Sequence, residues 1–103
     1  LDGSPHVTPI GFTWDPERHL ARIITWKTSV KSKILFLSGG GMASICQIDG
    51  GRWLTLEGRA LVSDDPVRCL EGTRRYAERY REPKDRIDRT VIEVTVSKIL
   101  GRA

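Results

Sequence analysis

The residues best suited to bind an anion lie close together near the end of a predicted strand. Hydroxyl groups occur at Thr25, Thr28 and Ser29, and the ammonium group of Lys31 follows within one helical turn. The first turn of a helix exposes unpaired N–H groups and carries about half a positive charge, so it attracts anions. A helix that begins at Thr28 or Ser29 would therefore suit a phosphate group. A capped surface helix with solvated lysines has the same spacing, and the spacing alone leaves both interpretations open.

The net positive charge is concentrated in this part of the chain. The 103 residues carry a formal net charge of +4, and the segment from Arg18 to Ile48 contains basic residues but no acidic one. This charge permits an anionic cofactor or a nucleic acid. The basic stretch is short and its aromatic residues do not alternate as a base-stacking platform, which argues against nucleic acid. The sequence also lacks the ~20-residue apolar run of a membrane span, so we expect no membrane partner.

The elements that would position these groups are mostly strands. The residue pattern predicts five of them, over residues 5–13, 20–26, 42–48, 52–62 and 90–99. In the last strand the side chains alternate, with Ile92, Val94 and Val96 on one face and Glu93, Thr95 and Ser97 on the other. Turn residues between the first and second, and the Asp-Gly pair between the third and fourth, predict two antiparallel hairpins. Strands joined by short turns are typical of an antiparallel barrel or sandwich. We expect residues 1–103 to form a single domain.

Two helices are predicted beside the strands. The first begins at Thr28 or Ser29, with apolar residues at helical spacing, and ends before Gly39. The second begins where Ser63-Asp64-Asp65-Pro66 supplies capping residues and a first-turn proline, and runs to about residue 80. Its apolar stripe is predicted to consist of Val67, Leu70, Ala77 and Tyr80.

The charged side chains of the second helix allow one further prediction, and the cysteines and histidines allow another. The pairs Glu71–Arg75 and Arg74–Glu78 are predicted to form ion pairs on the solvent-facing side of the second helix. The two cysteines have no CxxC spacing and the two histidines form no paired set, so we expect no zinc site. Reduced thiols in a cytoplasmic protein are the favoured interpretation, and a disulfide is left open.

Longer stretches of the chain resemble a known family. The sequences DGSPHVTPIGFTWDPE, ARIITWKTSVKSKIL and IDGGRWLTLEGRALVSDDP are similar to the pyridoxamine 5′-phosphate oxidase-like split barrels. The similarity is greatest to the branch of reductases that use the deazaflavin coenzyme F420, the biliverdin reductase type. It extends from Asp2 to Gly101, and its specificity comes from the combination of SPHV, DGGRWLTLEGRA and RRYAERYREP.

The resemblance implies a fold and an assembly. The fold would be a mainly β, antiparallel split β-barrel of six strands with two or more peripheral helices, forming a homodimer with cofactor grooves at the interface. An N-terminal helix and a first barrel strand would precede Leu1, since the chain opens on a turn-like sequence without an initiator Met. The family usually follows its lysine with Asn-Leu and an Arg-Asp-Pro-like turn. This chain has Ile34-Leu35 and then Ser38-Gly39-Gly40-Gly41, which leaves the groove wall there open.

The resemblance also implies site residues. Carried over by position, Ser29 and Lys31 would contact the cofactor phosphate, with Thr25 beneath them. The backbone along the cofactor ring system would be that of His6, Val7, Thr8, Pro9 and Ile10. The groove would also be lined by side chains that could come from the partner chain, namely Gln47, Arg52 and Trp53.

The function implied is hydride transfer from reduced coenzyme F420 to an organic acceptor, for example a tetrapyrrole such as biliverdin. The alternative is an FMN-binding oxidase or flavin reductase of the same group, because FMN would present a phosphate to the same segment. The cofactor carries the chemistry in either case, so no protein nucleophile or general base is nominated.

Overall fold

The computed structural model describes residues 11–29, 31, 33 and 39–102. Five strands and one complete helix are found in this part of the chain. The strands are β1 (Thr13–Asp15), β2 (Leu20–Trp26), β3 (Gly41–Asp49), β4 (Arg52–Ser63) and β5 (Arg89–Arg102), and the helix is α1 (Pro66–Arg79).

The strands form one antiparallel sheet in the order β1-β2-β5-β4-β3. The long strand β5 lies in the middle, with β2 paired along its first half and β4 paired along most of its length. The predicted mainly β, antiparallel class is confirmed, and the sheet is consistent with a truncated split barrel. Four predicted strands are present within a few residues of their expected limits. The strand predicted over residues 5–13 lies mostly outside the described residues.

The first hairpin is tighter than predicted. Trp14 and Asp15 were expected to belong to its turn. They belong instead to β1, where they pair with Ala21 and Leu20 of β2. The prediction was wrong because Asp15 serves both elements: its backbone ends the strand, and its carboxylate accepts the N–H of Glu17 at 3.1 Å. Such side-chain caps are typical of Asp at the start of a turn.

The core lies on one face of the sheet. Because side chains alternate along a strand, β2 and β5 direct Ala21, Ile23, Ile92, Val94 and Val96 to this face, and all five are buried. Phe12 and residues of β3 and β4 complete the cluster. The predicted alternation of the last strand is therefore confirmed.

Helix α1 packs on the opposite face, but with a different side from the one predicted. Val67 and Leu70, expected to be inside, are 76% and 69% exposed, whereas Cys69 and Gly72 are buried. The stripe prediction was wrong because it ignored glycine as a packing residue. A Cβ atom on Gly72 would lie 3.0 Å from Val91, so the absence of a side chain lets the helix approach the sheet closely.

The predicted ion pairs on α1 are present. Glu71 lies 3.5 Å from Arg75, and Glu78 lies 2.6 Å from Arg74. Arg75 departs from the prediction, because it is half-buried and also reaches Asp15 under the helix at 3.2 Å.

Asp15 is the centre of a buried ionic cluster between β1, β2 and α1. Its side chain accepts hydrogen bonds from Arg22 at 3.0 Å and from the N–H groups of Glu17 and Arg18, and it is 2% exposed. Burial favours the neutral form, but the bond from Arg22, the bond from the Arg18 N–H and the charge of Arg75 outweigh it, and the pKa of Asp15 is lowered. The cluster joins the helix to the sheet.

A β-bulge interrupts the pairing of β4 with β5. Glu57 is paired with Lys98 but Gly58 with Val96, which leaves Ser97 as an extra residue. A Cβ atom on Gly58 would overlap the carbonyl oxygen of Thr95, so glycine is needed at this position. After the bulge, Ile99 lies opposite Leu56 and shares its face.

Candidate cofactor site

The predicted phosphate segment begins where β2 ends. The N–H of Ser29 donates to the carbonyl of Trp26 at 3.0 Å, and the carbonyl of Ser29 accepts from the N–H of Lys33 at 3.0 Å. Ser29 therefore follows a turn and receives the first bond of a helical turn, which is the N-cap position. Lys31 and Lys33 have helical backbone geometry. The rest of the predicted helix lies outside the described residues.

Two hydroxyl groups are joined beneath this turn. The Thr25 hydroxyl donates to the Ser29 hydroxyl at 2.8 Å, and the two residues are 1% and 6% exposed. The bond fixes the orientation of Ser29 relative to the end of β2. The structure thus brings Thr25 and Ser29 together as expected.

An aromatic ring with two cations marks the exposed side of the same turn. Trp26 is partly exposed, and the Nζ atom of Lys31 lies 6.0 Å from its ring centroid. The guanidinium carbon of Arg86 lies 4.6 Å from the centroid of the same ring. Cations at these distances from a tryptophan face are attracted by its electron density. Sequence reasoning missed Arg86 because the loop before β5 carries no motif, and the contact depends on how β2 and β5 are paired.

The loop that carries Arg86 is fixed to the end of β2 by several bonds. Arg89 donates to the carbonyl of Thr25 at 3.2 Å and to that of Lys84 at 2.6 Å. The N–H of Lys27 donates to the carbonyl of Asp88 at 2.8 Å. The hydrogen bond from Arg86 lowers the pKa of Asp88, so this carboxyl is ionised at neutral pH.

The other predicted groove residues lie far away, at the turn between β3 and β4. Arg52 is exposed and forms an ion pair with Asp49 at 2.7 Å. Gln47 is exposed and pairs with Leu54, a core-side residue, whereas Trp53 pairs with Ile48 on the other face. The alternation of side chains therefore directs Trp53 away from the face that Gln47 and Arg52 share.

The two groups are at opposite ends of β5. Thr25 pairs with Thr90 at the start of that strand and Trp53 with Arg102 at its end. At ~3.3 Å per residue this separation is roughly 40 Å along the strand. Within one chain the structure does not bring Gln47, Arg52 and Trp53 to the Ser29 turn. The remaining predicted positions, His6, Val7, Thr8, Pro9 and Ile10, lie outside the described residues.

A cleft beside α1 is lined by side chains whose charges balance. This cleft of about 480 Å³ is lined by two apolar residues, three arginines and three acids, namely Leu20, Val67, Arg18, Arg22, Arg68, Asp65, Glu71 and Glu93. Arg68 and Glu93 are paired across it at 2.6 Å. Since the formal charges cancel, the cleft offers an anionic cofactor no net attraction.

Both cysteines are free thiols. Cys46 is exposed and Cys69 is buried, and neither forms a disulfide. Burial and the nearby charges of Asp64 and Asp65 raise the pKa of Cys69, so its thiol is protonated and unreactive. In the described part of the chain, no three His, Cys, Asp or Glu side chains are grouped to hold a metal ion. No helix among those residues has the length and apolar character to cross a bilayer.

Comparison with known proteins agrees with this architecture. The family model described as pyridoxamine 5′-phosphate oxidase matches residues 1–103, and the chain belongs to this family. One relative is the F420H(2)-dependent biliverdin reductase of Mycobacterium tuberculosis (strain CDC 1551 / Oshkosh). The two sequences are 46% identical over 102 residues, which cover 99% of this chain and 73% of the relative.

Proposed function

We propose that the chain is a coenzyme F420-dependent oxidoreductase that reduces an organic acceptor, with a tetrapyrrole such as biliverdin as its substrate. The similarity to the mycobacterial reductase covers almost the whole chain, and supports the enzyme class and the cofactor. The observation that carries the proposal is the turn at Ser29, where a hydroxyl group, a helical N-cap and the ammonium group of Lys31 lie at the end of β2. This donor set fits a phosphate group.

The proposed roles of the residues follow from their contacts. Ser29 and Lys31 bind the phosphate, and Thr25 positions Ser29 through its 2.8 Å hydrogen bond. The family resemblance assigns residues 6–10 to the ring system of the cofactor, and this role stays a prediction. When bound, the reduced deazaflavin supplies the hydride, and the chain orients the reactants and excludes water. The mechanism requires no protein nucleophile.

A homodimer is part of the proposal. Gln47, Arg52 and Trp53 lie too far from Ser29 to line one groove within a single chain, so a second copy would contribute them. The apolar side chains exposed at the same end of the sheet suit an interface, namely Ile48, Trp53, Ile99 and Leu100. A cytoplasmic setting suits the two free thiols.

The test is a fluorescence titration of the purified protein with coenzyme F420, with Lys31→Gln as the variant. Lys33→Gln is the matched control, because Lys33 is exposed and lies two residues further along the same turn. Loss of the charge-assisted contact should weaken binding by Lys31→Gln about tenfold or more, with less than about a twofold change in the control. No saturable change with the wild-type protein, or equal affinities in all three proteins, would contradict the proposal.

Two further measurements separate the substrate and the cofactor alternatives. Oxidation of reduced F420 on addition of biliverdin, followed by absorbance, tests the substrate, and its absence would remove biliverdin while leaving the cofactor. A yellow preparation that releases flavin on heating would instead favour FMN.

A further inference from the structure

We infer that Tyr80 and Arg79, at the end of α1, are positioning residues for residues 6–10, the segment assigned to the ring system of the cofactor. This inference rests on the proposed function and deepens it, because it names side chains that orient the ring segment from outside the phosphate site. The two residues act through Phe12, which follows the segment two residues later. Both belong to the motif RRYAERYREP, which has no part in phosphate binding.

Three hydrogen bonds hold the backbone of Phe12 to the end of the helix. The Tyr80 hydroxyl accepts the N–H of Phe12 at 3.2 Å and donates to its carbonyl at 3.1 Å. The Nη1 atom of Arg79 donates to the same carbonyl. In the described part of the chain, the pairing of β1 with β2 begins at Thr13. The end of α1 therefore holds the backbone next to the first paired residue of the sheet.

Aromatic rings pack against the same stretch of backbone. The guanidinium carbon of Arg79 lies 4.9 Å from the ring centroid of Phe12 and 5.0 Å from that of Tyr80. The rings of Tyr76 and Tyr80 have their centroids 4.9 Å apart. Both rings lie beside Gly11, where a Cβ atom would be 3.3 Å from Tyr80 and 3.5 Å from Tyr76. The end of the helix thus contacts both residues that follow the ring segment.

The exposure of these groups indicates that they orient the chain more than they stabilise it. Phe12 is 7% exposed, and the burial of its ring in the core stabilises the fold without fixing a direction. Tyr80 is 45% exposed and Arg79 is also exposed, so their hydrogen bonds compete with water and add little to stability. Hydrogen bonds are directional, however, and these determine the direction in which the backbone leaves Phe12.

The direction of the backbone at Phe12 matters for the chemistry proposed. Ile10 is two residues from Phe12, which is about 7 Å at most along the chain. In hydride transfer the reacting atoms must approach to about 3–3.5 Å, and a misplacement of about 1 Å can lower the rate about 100-fold. A fixed backbone at Phe12 therefore limits the displacement of a ring segment that is attached to it.

The experiment compares substitutions in the full chain, with coenzyme F420 as the probe. Tyr80→Phe removes the hydroxyl that bonds Phe12 and keeps the ring beside Gly11. Tyr76→Phe is the matched control, because it removes the same group one helical turn earlier, from a hydroxyl that forms no hydrogen bond among the described residues. Arg79→Leu removes the second donor to Phe12.

The expected result separates orientation from affinity. The dissociation constant for F420 should stay within about twofold of the wild-type value in every variant, because the contacts at Ser29 and Lys31 are distant and intact. The fluorescence anisotropy of F420 at saturation should be lower in Tyr80→Phe and Arg79→Leu than in the wild type and Tyr76→Phe. The single-turnover rate of hydride transfer to biliverdin should fall about three- to tenfold in the same two variants.

The outcomes distinguish the inference from the proposed function. Wild-type anisotropy and rate in Tyr80→Phe would overturn the inference, as would equal losses in Tyr80→Phe and Tyr76→Phe. If the wild-type protein binds F420 but does not reduce biliverdin, the proposed substrate fails and the anisotropy alone decides the inference. The absence of F420 binding by the wild-type protein would overturn the proposed function, and the inference with it. Urea unfolding curves that show each variant fully folded under the assay conditions exclude a loss of fold as the cause.

Discussion

The two ends of the sheet differ in how their surfaces are completed. At the helix end, formed by β1, β2 and α1, the chain buries even charged groups, and Asp15 lies under the helix between Arg22 and Arg75. At the hairpin end, formed by β3, the first half of β4 and the last residues of β5, large apolar side chains such as Ile48 are exposed. At the helix end the sheet is covered by α1, whose outer side carries the exposed Val67 and Leu70, whereas at the hairpin end apolar side chains of the strands themselves are exposed. We therefore expect substitutions at the helix end to change the free energy of unfolding, and substitutions at the hairpin end to change dimer formation.

The largest effect should come from the buried charge at the helix end. Asp15→Asn removes the carboxylate that pairs with buried Arg22 and leaves Arg75 with Glu71 alone, and it should lower the free energy of unfolding by about 3–5 kcal/mol. Asp49→Asn is the control at the hairpin end, where the pair with Arg52 is exposed and its loss should cost less than about 1 kcal/mol. Urea denaturation measures both. Equal losses of unfolding free energy in the two variants would contradict the expected difference between the two ends of the sheet.

The next effect concerns the hairpin end. Ile48→Lys places a charge in the proposed interface, and should raise the dissociation constant of the dimer about 30-fold, as expected for an interface residue worth ~2 kcal/mol. The unfolding free energy of the monomer should change by less than about 0.5 kcal/mol. Leu70→Lys, on the exposed side of α1, is the control and should leave assembly unchanged. Sedimentation velocity distinguishes these results, and a wild-type chain that is monomeric at all concentrations would refute the proposed dimer.

A smaller effect is expected at the contact between α1 and the sheet. Gly72→Ala gains helix propensity of about 1 kcal/mol, but its Cβ would lie 3.0 Å from Val91 and 3.1 Å from Ile24. Because overpacking costs about 1–3 kcal/mol, we expect a net destabilisation of about 1 kcal/mol. Gly51→Ala at the hairpin end has open space around its Cβ and should change stability little. A thermal scan that shows Gly72→Ala to be the more stable variant would contradict close packing at the helix end.

The smallest effect is confined to acid pH. The folded-state pKa of Asp15 is lowered from 3.8, so its contribution to stability is present above that value and is lost as pH falls through the folded-state pKa. Stability measured between pH 5 and pH 2 should therefore fall less steeply in Asp15→Asn than in the wild-type protein. Parallel curves for the two proteins would show that Asp15 does not carry this dependence.

Local signals predicted most of the fold. The alternation of Ile92, Val94 and Val96 and the Asp-Gly turn defined strands and a hairpin, because period and turn chemistry depend on neighbours in sequence. The exposed stripe of α1 could not be predicted in this way. The inner side of the helix contains Gly72, and a glycine is favoured there only because a strand lies against the helix.

The candidate site was likewise predicted only in the part that depends on neighbours in sequence. The turn at Ser29 and the hydroxyl of Thr25 were predicted from capping and spacing, and the structure joins them. The contact of Arg86 with Trp26 depends on strand pairing, which sequence reasoning from one chain does not fix. Whether the hairpin residues Gln47 and Arg52 reach a cofactor depends on a second chain, so that expectation stays a prediction.

The bulge at Ser97 has a consequence for the shape of the molecule. An extra residue in one strand bends it and increases its local twist. Here the bend lies between the helix end and the last residues of β5. It therefore sets the direction of the arm, which is formed by β3 and the first half of β4. Deletion of Ser97 would keep the pairs Glu57–Lys98 and Gly58–Val96 as neighbours and straighten the arm. The extra residue Ser97 thus orients the hairpin of β3 and β4, although the tip of that hairpin lies several residues away.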